Sequence, residues 1–334
     1  MPEYELIERR REQHIRPGRI LACLGLTGLL AGAAWGQPFP NKPVRIVAGE
    51  PGGSGDLVAR LLAPGLAVNL GQQVVIDNRG GAGGVIAAQT LIKAPTDGHT
   101  MLLYGNGIWL LPFMRDNVPY DPVRDFAPVT LAASMPNLLV VHPSLPVRSV
   151  KELVALAKAR PGELNYGSGS TGAAPHLGAE LFKSMAGVNL VLVNYKGTGA
   201  TLTGLIAGQV QLMFPPTNSA APHIKSGRLR ALAVTTAQPS ALVPELPTIA
   251  NSGLPGYECV TVLGVFAASK TQSLIVSRLN QDIVRALTTS EVKERLTRVG
   301  AEAIGSSPQE SAVAMKADMN LWGKVIKDAG IRDE

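Results

Sequence analysis

Residues 44–70 read VRIVAGEPGGSGDLVARLLAPGLAVNL, and this stretch decides the fold class. Val44 to Ala48 is a short apolar run of strand length, rich in β-branched residues. Gly49-Glu50-Pro51-Gly52-Gly53-Ser54-Gly55-Asp56 then has the composition of a turn. From Asp56 to Leu70, residues Leu57, Leu61, Leu62 and Leu66 recur at helical spacing. A strand passing through a tight glycine turn into a helix is half of a βαβ unit, and a chain of such units makes an α/β protein.

Outward from that stretch the unit repeats. Val74 to Asp77 leads through Asn78-Arg79-Gly80-Gly81-Ala82-Gly83-Gly84 into a helix ending at Lys93, followed by a strand from Thr100 to Tyr104. A further apolar strand, Leu138 to His142, leads into a helix opened by Ser149 and Glu152, the spacing of a capping box. Strands are then predicted at Leu164 to Ser168, Leu190 to Asn194, Val210 to Phe214 and Leu229 to Thr235, with helices at 175–186, 200–208 and 218–226. After Pro244 to Pro255 the chain forms a strand from Val260 to Ala267 and ends in helices, the last opened by Ser307-Pro308-Gln309-Glu310. The alternation predicts largely parallel sheets. Two clusters of units, separated by crossover strands near 138–142 and 260–267, predict two lobes: lobe I from 37–138 and 258–334, lobe II from 139–257. A cleft between them is the expected binding site, because ligands of open α/β sheets sit beyond the carboxyl ends of strands.

Composition narrows the class further. A chain of 334 residues at 46% hydrophobic and 17% charged buries a large core and is not disordered. The net charge of +6 is diffuse: five arginines and four glutamates fall in the first 36 residues, and no dense basic run follows. With aromatics at only 4%, a nucleic-acid partner is excluded. The arginines of residues 1–19, the apolar run Ile20 to Ala34 and the small residues around Ala34-Trp35-Gly36 form an export-signal pattern. Residues 1–36 are therefore expected to be a cleaved signal peptide and the mature chain periplasmic. The apolar run is shorter than the roughly 20 residues a bilayer span needs. Cys23 would leave with the signal, and Cys259 alone cannot form an internal disulfide.

Four strand-to-helix loops are glycine-rich: Gly49 to Asp56, Gly80 to Gly84, Gly105-Asn106-Gly107, and Gly167 to Ala174. Glycines let backbone amides approach a ligand, and each following helix turns its positive end toward the loop; each loop alone reads more readily as a tight turn, and the four at one end of the sheets stand equally between turns and a shared anion site. Enzyme signatures are missing. There is no Walker loop and no dinucleotide fingerprint; Ser54 and Ser170 each lack one glycine of a nucleophile elbow. The histidines show no metal-ligand spacing, so no cofactor or metal is expected. His176 reads more readily as a capping or packing residue than as a ligand contact, and Lys196 stands equally between a cleft cation and a solvated loop lysine.

The same residues resemble the Bug family, the periplasmic solute receptors of tripartite tricarboxylate transporters. The resemblance is carried by Lys42-Pro43-Val44-Arg45 leading into Pro51-Gly52-Gly53 and Asp56; by Asn78-Arg79 with Gly81-Ala82-Gly83-Gly84; by Asp97-Gly98, Pro119-Tyr120-Asp121-Pro122 and Asp125-Phe126; by Ser149 to Leu153 and Leu164-Asn165-Tyr166; and by His176-Leu177, Tyr195-Lys196-Gly197, Pro222 to Lys225, Leu229 to Thr235, Pro244 to Leu254 and Ala329-Gly330-Ile331. It implies a two-lobed periplasmic-binding-protein fold of the second topological type that closes on a small organic carboxylate and serves membrane permease subunits. By position it implies ligand contacts from Pro51, Gly52, Gly53, Ser54 and Asn106 in lobe I, and from Ser168, Ser170, Thr171, Gly172, Ala173, Tyr195 and Thr217 in lobe II. The sequence departs from the family pattern at Glu50, which brings a carboxylate to an anion site and either points away or meets a donor or cation on the ligand, and at Trp109, where smaller polar residues are usual and where a Trp is more often core than a ligand platform. Gly204, Gln211 and Pro215 replace common acidic positions. A flat indole beside the cleft, with Glu50 meeting a donor on the ligand, favours an aromatic or heteroaromatic monocarboxylate over dicarboxylates and citrate-like acids. Two alternatives keep the same cleft: a binding protein signalling to a membrane kinase, and an exported enzyme.

Overall fold

The computed structural model describes residues 39–169, 172–195 and 197–332. The expected signal peptide therefore lies outside the described residues, as do Ser170, Thr171 and Lys196. In chain order the first elements are β1 (Val44–Ala48), α1 (Ser54–Leu70), β2 (Val74–Asn78), α2 (Val85–Ile92), β3 (Thr100–Gly105), α3 (Gly107–Met114), the short α4 (Pro122–Asp125) and β4 (Phe126–Pro136). The second group is β5 (Leu138–Val141), α5 (Val150–Ala159), β6 (Asn165–Ser168), α6 (Ala174–Ala186), β7 (Val191–Asn194), α7 (Thr198–Ile206), β8 (Leu212–Met213), α8 (Thr217–Lys225) and β9 (Arg230–Val234). The chain then returns through β10 (Val260–Ala268), α9 (Ser273–Leu287), α10 (Ser290–Arg298), β11 (Glu302–Ala303) and α11 (Pro308–Asp328). Six strands form one sheet in the order β11-β4-β10-β3-β1-β2, and five form another in the order β7-β6-β8-β5-β9.

The sheets are mixed, not largely parallel. β1 pairs parallel with β2 and β3, and β6 with β7 and β8. β10 runs antiparallel to β3 and β4, β11 to β4, and β5 to β8 and β9. The reason is connectivity: parallel neighbours need a helical crossover within one lobe. β5 and β10 arrive from the other lobe without one and run against the wound strands, while β11 adds a short antiparallel edge after α10.

That connectivity places the loops. Leu263 of β10 lies opposite Gly105, and Val260 opposite Pro136, so the end of β4, the start of β10 and the carboxyl ends of β1, β2 and β3 share one edge. In the second sheet Val140 pairs with Met213, and the Leu138 N–H donates to the Pro215 carbonyl, so β5 begins beside the carboxyl ends of β6, β7 and β8. Only Asn137 separates β4 from β5. The strand-to-helix loops of the two sheets therefore face each other across the crossovers. Thr235 binds both crossings, donating its N–H to Asn137 and accepting from Cys259 through its carbonyl.

Elements the sequence missed have physical explanations. α3 reads GIWLLPFM, with Ile108, Trp109, Leu110, Leu111 and Met114 all buried, so it has no polar face to reveal a helical period. β4 carries two prolines and small residues, and its pairing with β10 shifts register twice, which erases a clean alternation. α11 opens with the full capping box between Ser307 and Glu310. In α5, Ser149 accepts from the Glu152 amide, while Glu152 turns to the Arg148 amide. α11 packs against α3, β4 and α6, so it spans both lobes.

Candidate functional site

In lobe I the turn between β1 and α1 is held from inside the helix. Asp56 is buried; its Oδ2 accepts the Gly52 N–H at 2.8 Å, and its Oδ1 accepts Asn78 Nδ2 and Arg60 Nε, each at 2.9 Å. Burial alone would raise this carboxyl, yet the bonds from Arg60, Gly52 and Asn78 outweigh it and hold it down at about 2. Asn78 also donates to the Gly49 carbonyl at 2.9 Å, tying β2 to the turn. Gly52 sits at φ +78, in the left-handed region, which glycine adopts without a Cβ penalty. The Gly53 amide donates to the Glu50 carbonyl at 3.0 Å. The Gly52 and Gly53 amides, expected as ligand holders, are thus used within the loop. What the turn presents is the start of α1, whose first-turn amides at Ser54 and Gly55 have no intrahelical acceptor and whose N-cap Gly53 supplies no side chain.

Lobe II repeats the device with a different acceptor. Gly172, at φ +71, donates its N–H to His176 Nδ1 at 3.0 Å, which places the imidazole proton on Nε2. His176 is buried and stacks on Tyr166 at 6.3 Å; burial holds it below its ordinary value of 6.5 despite the pull of Glu180. Tyr166 donates to Glu180, which also takes Lys183 at 2.7 Å. Ala173 is the N-cap of α6 and again offers no side-chain cap. Ser168 is buried at the end of β6, and its carbonyl accepts the Tyr195 amide at 2.8 Å.

Several expected contacts lie elsewhere. Trp109 is only 1% exposed, edge-on to Phe266, with its indole N–H donating to Asp318 at 2.7 Å; it is core, not a cleft wall. Asn106 is buried, bonded to Asp318 and, at 3.3 Å, to the Val260 carbonyl, so it anchors β10. Burial pushes Asp318 above its usual range in spite of bonds from Trp109, Trp322 and Asn106. The Thr217 hydroxyl donates to the Pro136 carbonyl at 2.8 Å, tying the start of α8 to the crossover. Tyr195 donates its phenol to Gln209 at 3.2 Å and packs over Gly204. Glu50 is exposed, and its Oε1 accepts the Gly81 N–H at 2.7 Å. Pro51 is exposed at the tip of the turn.

Three residues were missed. Tyr104, at the carboxyl end of β3, lays its ring over Gly49 and Gly84, and burial together with the charge of Glu50 pushes its phenol up to about 12. The signal was an aromatic ending an apolar strand at a cleft edge. Met114 at the end of α3 stands against Gly172, bringing lobe I onto the lobe II turn. Asn137 is 1% exposed at the crossover with both Oδ1 and Nδ2 unbonded, and nothing in its sequence neighbourhood shows this.

Two mixed α/β lobes, joined by two crossovers and presenting opposed helix N-termini, define a solute-binding protein of the two-lobed class. The model of the tripartite tricarboxylate transporter receptor family matches residues 58–331, and the chain belongs to that family. It is 33% identical over 324 residues to BugT of Bordetella pertussis, covering 94% of this chain and 98% of that protein. Among solved structures it is similar to an R. palustris protein determined with adipate, at 40% identity and TM-score 0.77, covering 88% of this chain and 99% of the other. It is also similar to MatC of Rhodopseudomonas palustris with bound malate, at 31% identity and TM-score 0.71, covering 86% and 100%.

Proposed function

We propose that this chain is an exported receptor that captures a small aliphatic dicarboxylate between its lobes and passes it, unchanged, to membrane permease subunits of a tripartite transporter. The observation that carries this reading is the pair of uncapped helix starts, α1 in lobe I and α6 in lobe II, on facing sheet edges. An anion is favoured at each, and a linear diacid supplies one to each lobe. Charge-assisted hydrogen bonds contribute about 1.5–3 kcal/mol each, so three or four support roughly micromolar binding, about −8 kcal/mol. The adipate and malate bound by the two R. palustris relatives fit this chemistry. A ring acid loses its basis, because Trp109 is enclosed in the core and Glu50 is bonded to the protein.

Calorimetric titration with adipate, malate, citrate, benzoate and nicotinate tests the reading, with the ligand recovered and weighed afterwards. Micromolar binding of adipate or malate, returned intact, is the expected outcome. Binding confined to the ring acids would overturn the ligand class, and a chemically altered ligand would overturn the receptor role. The same reading assigns residues 1–36 to a cleaved signal, so N-terminal sequencing of periplasmic protein should begin at Gln37.

A further inference from the structure

Lobe I offers two glycine loops for an anion, and one of them already holds an anion of the protein. The Glu50 Oε1 accepts the Gly81 N–H at 2.7 Å, and the carboxyl group lies so close over Gly80 that a Cβ there would stand 2.5 Å from it. The loop is shaped to receive it. Gly81, Ala82, Gly83 and Gly84 have φ of +100, +51, +64 and +96, a positive-φ run in which the Gly84 amide turns back to the Gly81 carbonyl and the Gly81 amide is the one that takes Glu50. Tyr104 closes the opposite side, its ring against both Gly49 and Gly84. Glu50 itself leaves the β1–α1 turn three residues before the N-cap of α1, so its charge is fixed between the two loops of lobe I.

We infer that Glu50 is an anion of the protein that sets the charge selectivity of the cleft, admitting a ligand with one carboxylate on lobe I and rejecting one that brings a second carboxylate to that lobe. The inference rests on the dicarboxylate reading above. It follows from occupancy and from charge. The Gly81 amide, which a further ligand carboxylate would use, is engaged, and a carboxylate approaching it meets Glu50 at short range, where like charges repel. A diacid that spans the lobes avoids this by placing its second charge on α6.

The test compares adipate and citrate on the wild-type protein, Glu50→Gln and Glu50→Ala. The glutamine keeps an oxygen for Gly81 without the charge, and the alanine empties the loop. The wild type should bind citrate at least tenfold more weakly than adipate, and both variants should narrow that ratio tenfold or more. Raising ionic strength should shrink the wild-type ratio, because salt screens exposed charges, and leave the Glu50→Gln ratio in place. Wild-type binding of adipate with a ratio that stays within threefold in both variants would overturn the role of Glu50 alone. Wild-type protein that binds neither adipate nor malate, with variants equally silent toward citrate, would overturn the dicarboxylate reading and this inference together.

Discussion

In lobe I the glycine turn ahead of α1 is held by the third residue of the helix, Asp56, whose carboxylate takes the Gly52 amide at 2.8 Å. In lobe II the turn ahead of α6 is held by the third residue of that helix, His176, whose Nδ1 takes the Gly172 amide at 3.0 Å. Both acceptors reach back four residues to a glycine of positive φ, so the backbone solution is the same. The acceptors differ in charge. Asp56 is anionic and cross-braced by Arg60 and Asn78, whereas His176 is a neutral ring kept so by burial. Lobe I thus has a rigid, acid-resistant turn, and lobe II a turn whose latch titrates.

Removing the braced latch should have the largest effect. Asp56→Ala leaves the Gly52 amide without its acceptor and takes one acceptor each from Asn78 and Arg60, and urea unfolding should report a loss of about 2–4 kcal/mol, in the range for breaking a buried charged network. A loss no greater than that of His176→Ala would mean the two latches are equivalent and the contrast is wrong.

The glycines separate strain from contact. Either Gly→Ala change places an L residue in the left-handed region, at about 1–2 kcal/mol. A Cβ on Gly52 meets nothing within 4 Å, whereas on Gly172 it would stand 2.1 Å from Met114 Sδ. Gly172→Ala should therefore cost more than Gly52→Ala in thermal unfolding, and the cost of Gly172→Ala should be smaller when it is measured against a Met114→Ala background than against the wild type. Equal costs would show that Met114 does not press on the lobe II turn in solution.

Between the lobes, Asn137 buries a carboxamide with neither end bonded. Asn137→Leu removes that unpaired group at similar volume and should stabilise the protein by about 1 kcal/mol. A loss of stability would show that the crossover carboxamide is paired in solution.

The smallest effect is a pH term. The His176 value is lowered by burial, so its contribution is present above the ordinary 6.5 and lost as pH falls below it. The Asp56 contribution is present above 3.8 and lost only as pH falls to about 2. Acidification from pH 7.5 to 5 should destabilise the wild type by a component that His176→Asn lacks, because an amide oxygen accepts from Gly172 at any pH. A wild-type profile identical to that of His176→Asn would remove the titrating latch.

Much of the architecture was legible because it is local. Val44 to Ala48 and the leucines of α1 announce strand and helix within a few residues, and the helix starts at Ser307 and Ser149 follow from side chains that cap amides three positions away. The site was legible as glycine loops ahead of helices, but not as donors. Gly52, Gly53 and Gly172 look free in sequence because their acceptors, Asp56, the Glu50 carbonyl and His176, could each have pointed elsewhere. Trp109 misled for the same reason: its partners Asp318 and Phe266 lie 209 and 157 positions away, and only packing brings them to the indole.

By itself the sequence determined the α/β units, the family and the glycine loops ahead of the helices, since each depends on residue order over a few turns of chain and on the charge and size of residues within it. Tertiary structure alone decided the mixed sheets, the burial of Trp109, the orphaned Asn137 and the occupation of the Gly80–Gly84 loop by Glu50. Those depend on which elements meet across the crossovers, and a side chain with several available partners is assigned one only when the packed chain brings that partner within about 3 Å.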